Sequence, residues 1–226
     1  MAVSTLTEDT TLTRRAIGQG VYSLKDLRAF VAFEGERKEG KLVPSWLDSA
    51  LNPVPHERWQ PDYSFSDLIS LFVVRELRRM GHPIRDIRTA EAHFRTKWLK
   101  DRPFASDDIW SDGRVISDRE ELVPGQIEAA HRPGQQVMLE VVKDRLVNVR
   151  YDGGWAAYWI PMENVLVDPR VQFGEPVVSD TRVTTDVLAD AVRHFGIEKA
   201  SRRLDVTLPA ARSALAFEDK LASVRA

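Results

Sequence analysis

Arg202, Arg203, Thr207 and Arg212 gather around the short segment Asp205-Val206-Thr207. Guanidinium groups pair bidentately with phosphate oxygens and a hydroxyl adds a hydrogen bond, so these residue types at this spacing suit contact with a nucleic-acid backbone. A second set of candidate DNA contacts, Lys25, Arg28, Lys41 and Ser45, lies near the start of the chain, with Lys38 beside it. Bond-making chemistry is not signalled. The five histidines, His56, His82, His93, His131 and His194, are scattered, none at i, i+4 from another. No HExxH, Walker loop, GxGxxG or nucleophile elbow occurs. Asp107-Asp108 and Glu120-Glu121 read as solvated loop charge. The expectation is a protein that is not an enzyme and uses no cofactor or metal, although spacing alone does not address a metal site assembled from distant segments.

The candidate side chains need rigid elements behind them, and hydrophobic spacing supplies these. Val187, Leu188, Ala191, Val192 and Phe195 recur at helical intervals and predict a helix with one buried face, ended by Gly196 in a left-handed conformation. Ile197, Ala200 and Leu204 form the inward face of a second helix over 197–204. Asp205-Val206-Thr207 offers a tight turn with a capping threonine, and Leu208-Pro209 opens a third helix that buries Ala211, Leu215 and Phe217. The small Ala200 and Ala211 let two helices cross closely. Residues 168–216 therefore read as an extended arm feeding helices with helix-turn-helix spacing, which points to binding rather than catalysis. An ordinary trihelical packing unit without DNA contact has the same pattern, and both readings stay open.

Net charge is −2 over 226 residues, so no global basic field draws this chain to nucleic acid and any attraction comes from local patches. Hydrophobic residues make up 43% and charged residues 29%, the balance of a soluble globular protein. The absence of cysteine excludes disulfides, thiolate zinc sites and a cysteine nucleophile. No apolar run approaches the roughly 20 residues of a membrane span, and the threonine-rich start lacks a signal-peptide core. A cytoplasmic protein without membrane contact is expected.

One basic patch surrounds the middle helices. Ser64-Phe65-Ser66-Asp67 caps a helix start, and Leu68, Ile69, Leu71, Phe72, Val73, Val74, Leu77 and Met80 make the helix apolar around most of its circumference, as suits a central core helix. Gly81 ends it. Pro83 opens another, with Ile84, Ile87, Ala90, Phe94 and Trp98 as the buried stripe. Arg75, Arg78, Arg79, Arg85, Arg88, Arg95, Lys97, Lys100 and Arg102 outnumber Glu76, Asp86, Glu91 and Asp101 here, giving either a phosphate-contacting or a merely solvated charged face. Upstream, residues 22–31 read as a capped amphipathic helix with Leu24, Leu27 and Val31 inward and Lys25 and Arg28 outward. Residues 34–41 read as a charged loop, 44–51 as a short helix where recognition belongs, and 52–61 as a wing or linker.

Between the helical ends the pattern turns mixed. Ile109-Trp110 and Arg114-Val115-Ile116 flank Ser111-Asp112-Gly113 as a hairpin, and residues 135–146 predict a short helix. Residues 147–151 and 155–160 form a second hairpin around Asp152-Gly153-Gly154, and 164–167 a third strand. Tyr151, Trp155, Tyr158 and Trp159 offer either a base-stacking platform or sheet core, core being the commoner use on a small sheet.

The segments VYSLKDLRAFVAF, DYSFSDLISLFVVRELRRMGHPIRDIRTAEAHF and RPFASDDIWSDGRVI together resemble the MerR-like amino-terminal region of atypical VapB-type antitoxins. FGEPVVSDTRV and its trihelical continuation resemble the small carboxyl-terminal domain of the same antitoxins. The resemblance covers most of residues 21–221. It implies a type II toxin-antitoxin operon, a PIN-like ribonuclease toxin as partner, and autoregulatory binding to operator DNA. A toxin of that kind carries a carboxylate cluster that binds Mg²⁺, so inhibition would be steric and electrostatic. One departure stands out: where the family's second helix presents arginines, Trp46 to Leu51 offer an aspartate among apolar and small residues. Either the amino-terminal unit lacks DNA readout or Lys25, Arg28, Lys38 and Lys41 supply it.

The expected fold class is α+β, mainly helical: a tail over 1–20, a MerR-like helix-turn-helix domain over 21–103, a small strand-containing middle over 104–167 and a three-helix, helix-turn-helix-like domain over 168–226. The expected partners are a PIN-like toxin and operator DNA, bound by a homodimer or a toxin-antitoxin hetero-oligomer. A stand-alone MerR-like regulator is the main alternative, weakened by the lack of a sustained heptad run. A scaffold that binds protein alone is the third reading.

Overall fold

A computed structural model describes residues 22–51, 63–111, 116–117 and 140–225. The tail over 1–20, the wing over 52–61, the turn of the first hairpin, Glu120-Glu121 and the start of the predicted helix over 135–146 lie outside the described residues. The fold is α+β and mainly helical.

Two helices open the described chain, α1 (Leu24–Glu34) and α2 (Arg37–Ser49). Ser23 and Asp26 cap α1 reciprocally, the hydroxyl accepting from the Asp26 N–H at 3.2 Å and the carboxylate from the Ser23 N–H at 3.0 Å. As expected, Leu27 and Val31 are buried and Lys25 and Arg28 face solvent. The expected loop over 34–41 is instead mostly helix. Glu39 reaches back to the Glu36 N–H at 2.8 Å, so the charges that suggest a loop are what cap α2. Pro44 lies inside α2 and withdraws the N–H that the Gly40 carbonyl would otherwise accept. Gly40 also lies at a close approach of α1 and α2, since a Cβ there would meet the Arg28 carbonyl oxygen at 2.5 Å and the Ala32 Cβ at 2.9 Å.

The next helix, α3 (Phe65–Arg79), is the central rod, buried from Phe65 through Leu77 but for Ser66. Its Ser64 and Asp67 repeat the reciprocal cap of α1. Gly81, at φ +100°, turns the chain into α4 (Ile84–Trp98), whose Ile87 and Phe94 are fully buried. The hairpin expected near Ile109 pairs β1 (Trp110–Ser111) with β2 (Ile116–Ser117), and β3 (Glu140–Val141) joins the other edge of β1. Only the turn α5 (Val142–Arg145) is helical in the described part of the segment where a longer helix was expected; Glu140 and Val141 are taken up by pairing with β1.

Four antiparallel strands follow in the order β4-β5-β6-β7: Val149–Asp152, Trp155–Met162, Val165–Val167 and Val177–Val178. The second expected hairpin and third strand are thus present, with Gly153 and Gly154 at φ +55° and +83° in the turn. The arm leading to the final helices adds an edge strand, pairing Val178 with Val165 and Val177 with Leu166. Trp159 is fully buried against Phe30, Phe33 and Phe72 and donates its indole N–H to Glu34 at 2.5 Å, so it is core rather than a stacking platform.

Last come α6 (Thr185–Phe195), α7 (Ile197–Leu204) and α8 (Leu208–Arg225). Val178, Leu188, Val192, Ala200, Ala210, Ala211 and Ala214 make a small core of their own. Phe217 and Leu221, further along α8, belong to the larger core of α1 to α3 and the strands. One continuous helix therefore ties the two cores together. Among the described residues no helix is long and apolar enough to cross a membrane.

Candidate nucleic-acid interface

The turn between α7 and α8 is built as the residue types dictate. Gly196 at φ +80° ends α6 and starts α7, and a Cβ there would meet nothing within 4 Å, so conformation rather than space calls for glycine. Asp205 at φ +52° ends α7, its N–H bonded to the Ser201 carbonyl. Thr207 then caps α8, its hydroxyl accepting from the Ala210 N–H at 3.3 Å, which leaves its O–H to donate elsewhere. Ala200 and Ala211 are fully buried, the small residues that let α7 and α8 pack.

Arg202 and Arg203 are exposed on the last turn of α7, Thr207 is exposed in the turn, and Arg212 is exposed one turn into α8. The structure places these sequence-selected residues on the end of α7, the turn and the start of α8. They are not equivalent. The Arg203 guanidinium lies 4.3 Å from the centroid of the Phe195 ring and the Lys199 ammonium 5.3 Å from it, with His194 edge-on at 4.5 Å. Arg203 is thus partly engaged in cation–π contact. Phe195, expected in the buried face of α6, is 39% exposed and Val187 53% exposed, because α6 turns Thr185, Leu188, Ala189 and Val192 inward. Phe195 spends its ring on the cations of α7 instead.

A shallow depression beside this cluster is lined by Asp190, Ala191, Arg193, His194 and Phe195. Arg193 there is held by Asp219 at 2.7 Å and Asp190 at 3.0 Å, and these bonds keep its guanidinium protonated above its ordinary range.

Lys25, Arg28, Lys41 and Ser45 are exposed on α1 and α2. The close approach at Gly40 sets Arg28 beside the helix segment that carries Lys41. Lys38 points into solvent and pairs with Glu36 at 2.9 Å, a bond that lowers the Glu36 carboxyl below its usual value and raises the ammonium above its own. Trp46, Ala50 and Leu51 are buried while Ser45 and Asp48 are exposed, so the segment expected to present recognition residues gives its largest side chain, Trp46, to the core. Asp26, between Lys25 and Arg28, pairs with Arg225 at 3.0 Å at the far end of α8. The two candidate sets therefore lie toward opposite ends of α8, an 18-residue helix, about 27 Å long at 1.5 Å per residue. They do not form one site.

Much of the basic run of α3 and α4 is engaged internally, while Arg85, Arg88, Lys97 and Lys100 are exposed. Arg75 bonds Glu76 at 2.9 Å, and Arg79 bonds Glu39 through two nitrogens at 2.9 and 2.8 Å and Glu76 at 3.0 Å. Arg95 bonds Glu91 at 2.8 Å, while Arg102 is buried against Asp67 with Glu91 beyond at 3.8 Å. Arg78 and Arg88 donate to the carbonyls of His82 and Asp48. The buried carboxylates require these partners, since an unpaired charge in the interior is strongly destabilising.

No group of three or more His, Cys, Asp or Glu among the described residues is placed to hold a metal ion. His82 is buried with its ring nitrogen 2.5 Å from the Ser111 hydroxyl, both fully enclosed.

Among solved structures, the chain is similar to the crystal structure of Rv2018 from Mycobacterium tuberculosis, with a TM-score of 0.61 and 20% identity over 87% of this chain and 97% of that one. At that identity the likeness concerns the fold alone. No family model matches the sequence, and no curated protein matches it.

Proposed function

We propose that this chain is the antitoxin of a type II toxin-antitoxin pair, acting in the cytoplasm, which binds a PIN-like ribonuclease directly and represses its own operon by binding operator DNA. The observation that carries the DNA half is the α7–turn–α8 unit: a three-residue turn closed by Asp205 and Thr207, with Arg202, Arg203 and Arg212 exposed around it. A helix-turn-helix presents the first turns of its second helix to a groove, and the exposed positions here are Thr207, Leu208, Pro209 and Arg212. The toxin half and a MerR-like reading of α1 to α4 are supported by the sequence resemblance to VapB-type antitoxins. The protein binds as a homodimer or as a hetero-oligomer with the toxin.

A protein-only scaffold is the second reading. What favours it is the engagement of so many cations in internal pairs at a net charge of −2.

Two assays test the proposal. Co-expression with the PIN-like protein encoded beside it restores growth if the antitoxin half holds, and persistent toxicity despite a stable complex rules that half out. A mobility shift on the upstream DNA of its own operon separates repressor from scaffold: salt-sensitive binding supports the repressor, and its absence with or without toxin leaves the scaffold.

A further inference from the structure

Helix α7 turns Ile197, Ala200, Ser201 and Leu204 inward and leaves Lys199, Arg202 and Arg203 exposed on its opposite side. These positions stand at i, i+3 and i+4, within one helical turn, and like charges at that spacing weaken a helix. The fold offers them no acid. Among the described residues none of Lys199, Arg202, Arg203 and Arg212 pairs with a carboxylate, not even with Glu198 or Asp205, the exposed acids of α7 and its turn. Arg193 in α6 and Arg225 in α8, by contrast, are held by Asp190, Asp219 and Asp26. The helix dipole accounts for Arg202 and Arg203, which lie in the last turn of α7. It does not account for Lys199, the third residue of the helix, where a cation opposes the dipole.

What the fold supplies instead is an aromatic ring. Phe195 is 39% exposed and belongs to neither hydrophobic core, and its ring is met by the Arg203 guanidinium at 4.3 Å, the Lys199 ammonium at 5.3 Å and the His194 ring at 4.5 Å. An aromatic face attracts cations without neutralising them. Phe195 thus gathers Lys199 and Arg203 and leaves their charge available.

Such a face fits a row of fixed negative charge. From Lys199 to Arg203 the helix advances about 6 Å at 1.5 Å per residue, long enough to meet two successive phosphates of one DNA strand, which recur every ~3.4 Å along the duplex axis. The first helix of a helix-turn-helix crosses the backbone while the second enters the groove, and α7 occupies that first position, ahead of Thr207 and Arg212. A protein partner would need an apolar centre beside the cations, and the aromatic group on this face carries the cations itself.

We infer that the outer face of α7 is a sequence-independent phosphate contact for duplex DNA, with Lys199, Arg202 and Arg203 as the contacting cations and Phe195 as the positioning residue that holds two of them. The inference rests on the DNA-binding reading of the final helices; it adds Lys199 and Phe195 to that reading and assigns α7 to the backbone rather than to base edges.

Fluorescence anisotropy of the full-length chain tests this, with two labelled duplexes of equal length, one from the DNA upstream of its own gene and one of scrambled sequence, each titrated across a salt series. Lys199→Gln is expected to weaken both duplexes alike, by about threefold or more at low salt, and to reduce the salt slope by about one. Lys199→Arg should bind as wild type does. Phe195→Leu keeps every charge and is expected to weaken both duplexes about threefold with the slope unchanged, and Phe195→Tyr to recover the loss. Weakening of the upstream duplex alone in Lys199→Gln overturns the inference in favour of base readout by α7. Unchanged affinity and slope in Lys199→Gln, with Arg212→Ala still weakened, overturns it and leaves the DNA-binding reading standing. A wild-type chain that binds neither duplex overturns both. Phe195→Leu binding as wild type does overturns the positioning role. Labelled poly-glutamate bound more tightly than either duplex, and lost in Lys199→Gln, overturns the inference in favour of an acidic protein surface.

Discussion

The hydroxyl of Tyr22 donates to the carbonyl of Gly174 at 2.8 Å, joining two residues 152 apart in sequence. Tyr22 sits just before α1 and is buried in the large core, whereas Gly174 closes the loop that carries Phe173. Burial drives the phenol far above its ordinary pKa, with Asp168 and Asp26 adding to the effect, so the neutral donor is the form the fold keeps.

Tyr22→Phe leaves the Gly174 carbonyl without this donor and is expected to cost about 1–3 kcal/mol, read as a lower urea midpoint. The folded pKa is raised, so the contribution is full below the unfolded phenol's value of 10.0 and declines as pH rises past it. Unfolding of wild type and Tyr22→Phe above pH 10 should therefore converge; a constant gap contradicts the burial argument.

Gly40→Ala places a Cβ against the Arg28 carbonyl oxygen at 2.5 Å. Backbone cannot yield as a flexible side chain would, so α1 and α2 must separate. The expected loss is about 1–3 kcal/mol, against the gain that alanine ordinarily brings to a helix interior. Equal or greater stability on chemical denaturation would show that the crossing is looser than described.

Glu218 is half-buried, and desolvation raises its carboxyl pKa even though it accepts from Thr185 at 2.5 Å. Arg225 and Arg193 oppose the rise and Asp186 supports it. With the folded pKa above the unfolded value of 4.5, the folded state binds the proton more tightly, so this group's contribution is full below pH 4.5 and is lost as pH rises through the folded pKa. Glu218→Gln keeps an acceptor and removes the charge. Its stability relative to wild type should be higher at pH 7 than at pH 4, measured by denaturant titration at both; the opposite trend would mean that the Thr185 bond outweighs desolvation.

Arg202→Ala and Arg212→Ala should each weaken operator binding across sequences and reduce the slope of log affinity against log salt by about one. Arg203→Ala should lower both affinity and thermal midpoint, since its guanidinium also lies on Phe195. Unchanged salt slopes in Arg202→Ala and Arg212→Ala would remove the α7–turn–α8 unit from the DNA contact.

Local rules made the final helices legible. Gly196, Asp205 and Thr207 carry their boundaries in their own chemistry, and Ser23 and Ser64 do the same for α1 and α3. The start of α2 was not legible, because Glu36 and Glu39 look like loop charge until each is seen capping the other's end of the turn. The edge strand of Val177 and Val178 depends on Val165 and Leu166, and two residues carry no period of their own. The exposure of Val187 and Phe195 depends on which face of α6 meets α8, a choice made by Leu188 and Val192 together with Ala211 and Ala214. Exposed candidates such as Lys25 and Arg202 could be picked by residue type. The engagement of Arg79 and Arg102 with acids distant in sequence could not, and neither could the bond that ties the Gly174 loop to Tyr22.

Helix α8 is a gauge as well as a rod. Ala210, Ala211 and Ala214 are set in one core, and Phe217 and Leu221 in the other, with Phe217 against Phe33, the Lys220 ammonium over the same Phe33 ring and Arg225 on Asp26. Every residue added to a helix turns all that follow by about 100° and advances them about 1.5 Å. A single insertion or deletion between Ala214 and Phe217 would leave each core's own composition untouched and still swing Phe217 away from Phe33. The exposed side of α8 away from Arg212, Asp219, Lys220 and Arg225 tolerates substitution, but the spacing between Ala214 and Phe217 is locked, and a change of length is better borne by the loop that precedes the helix.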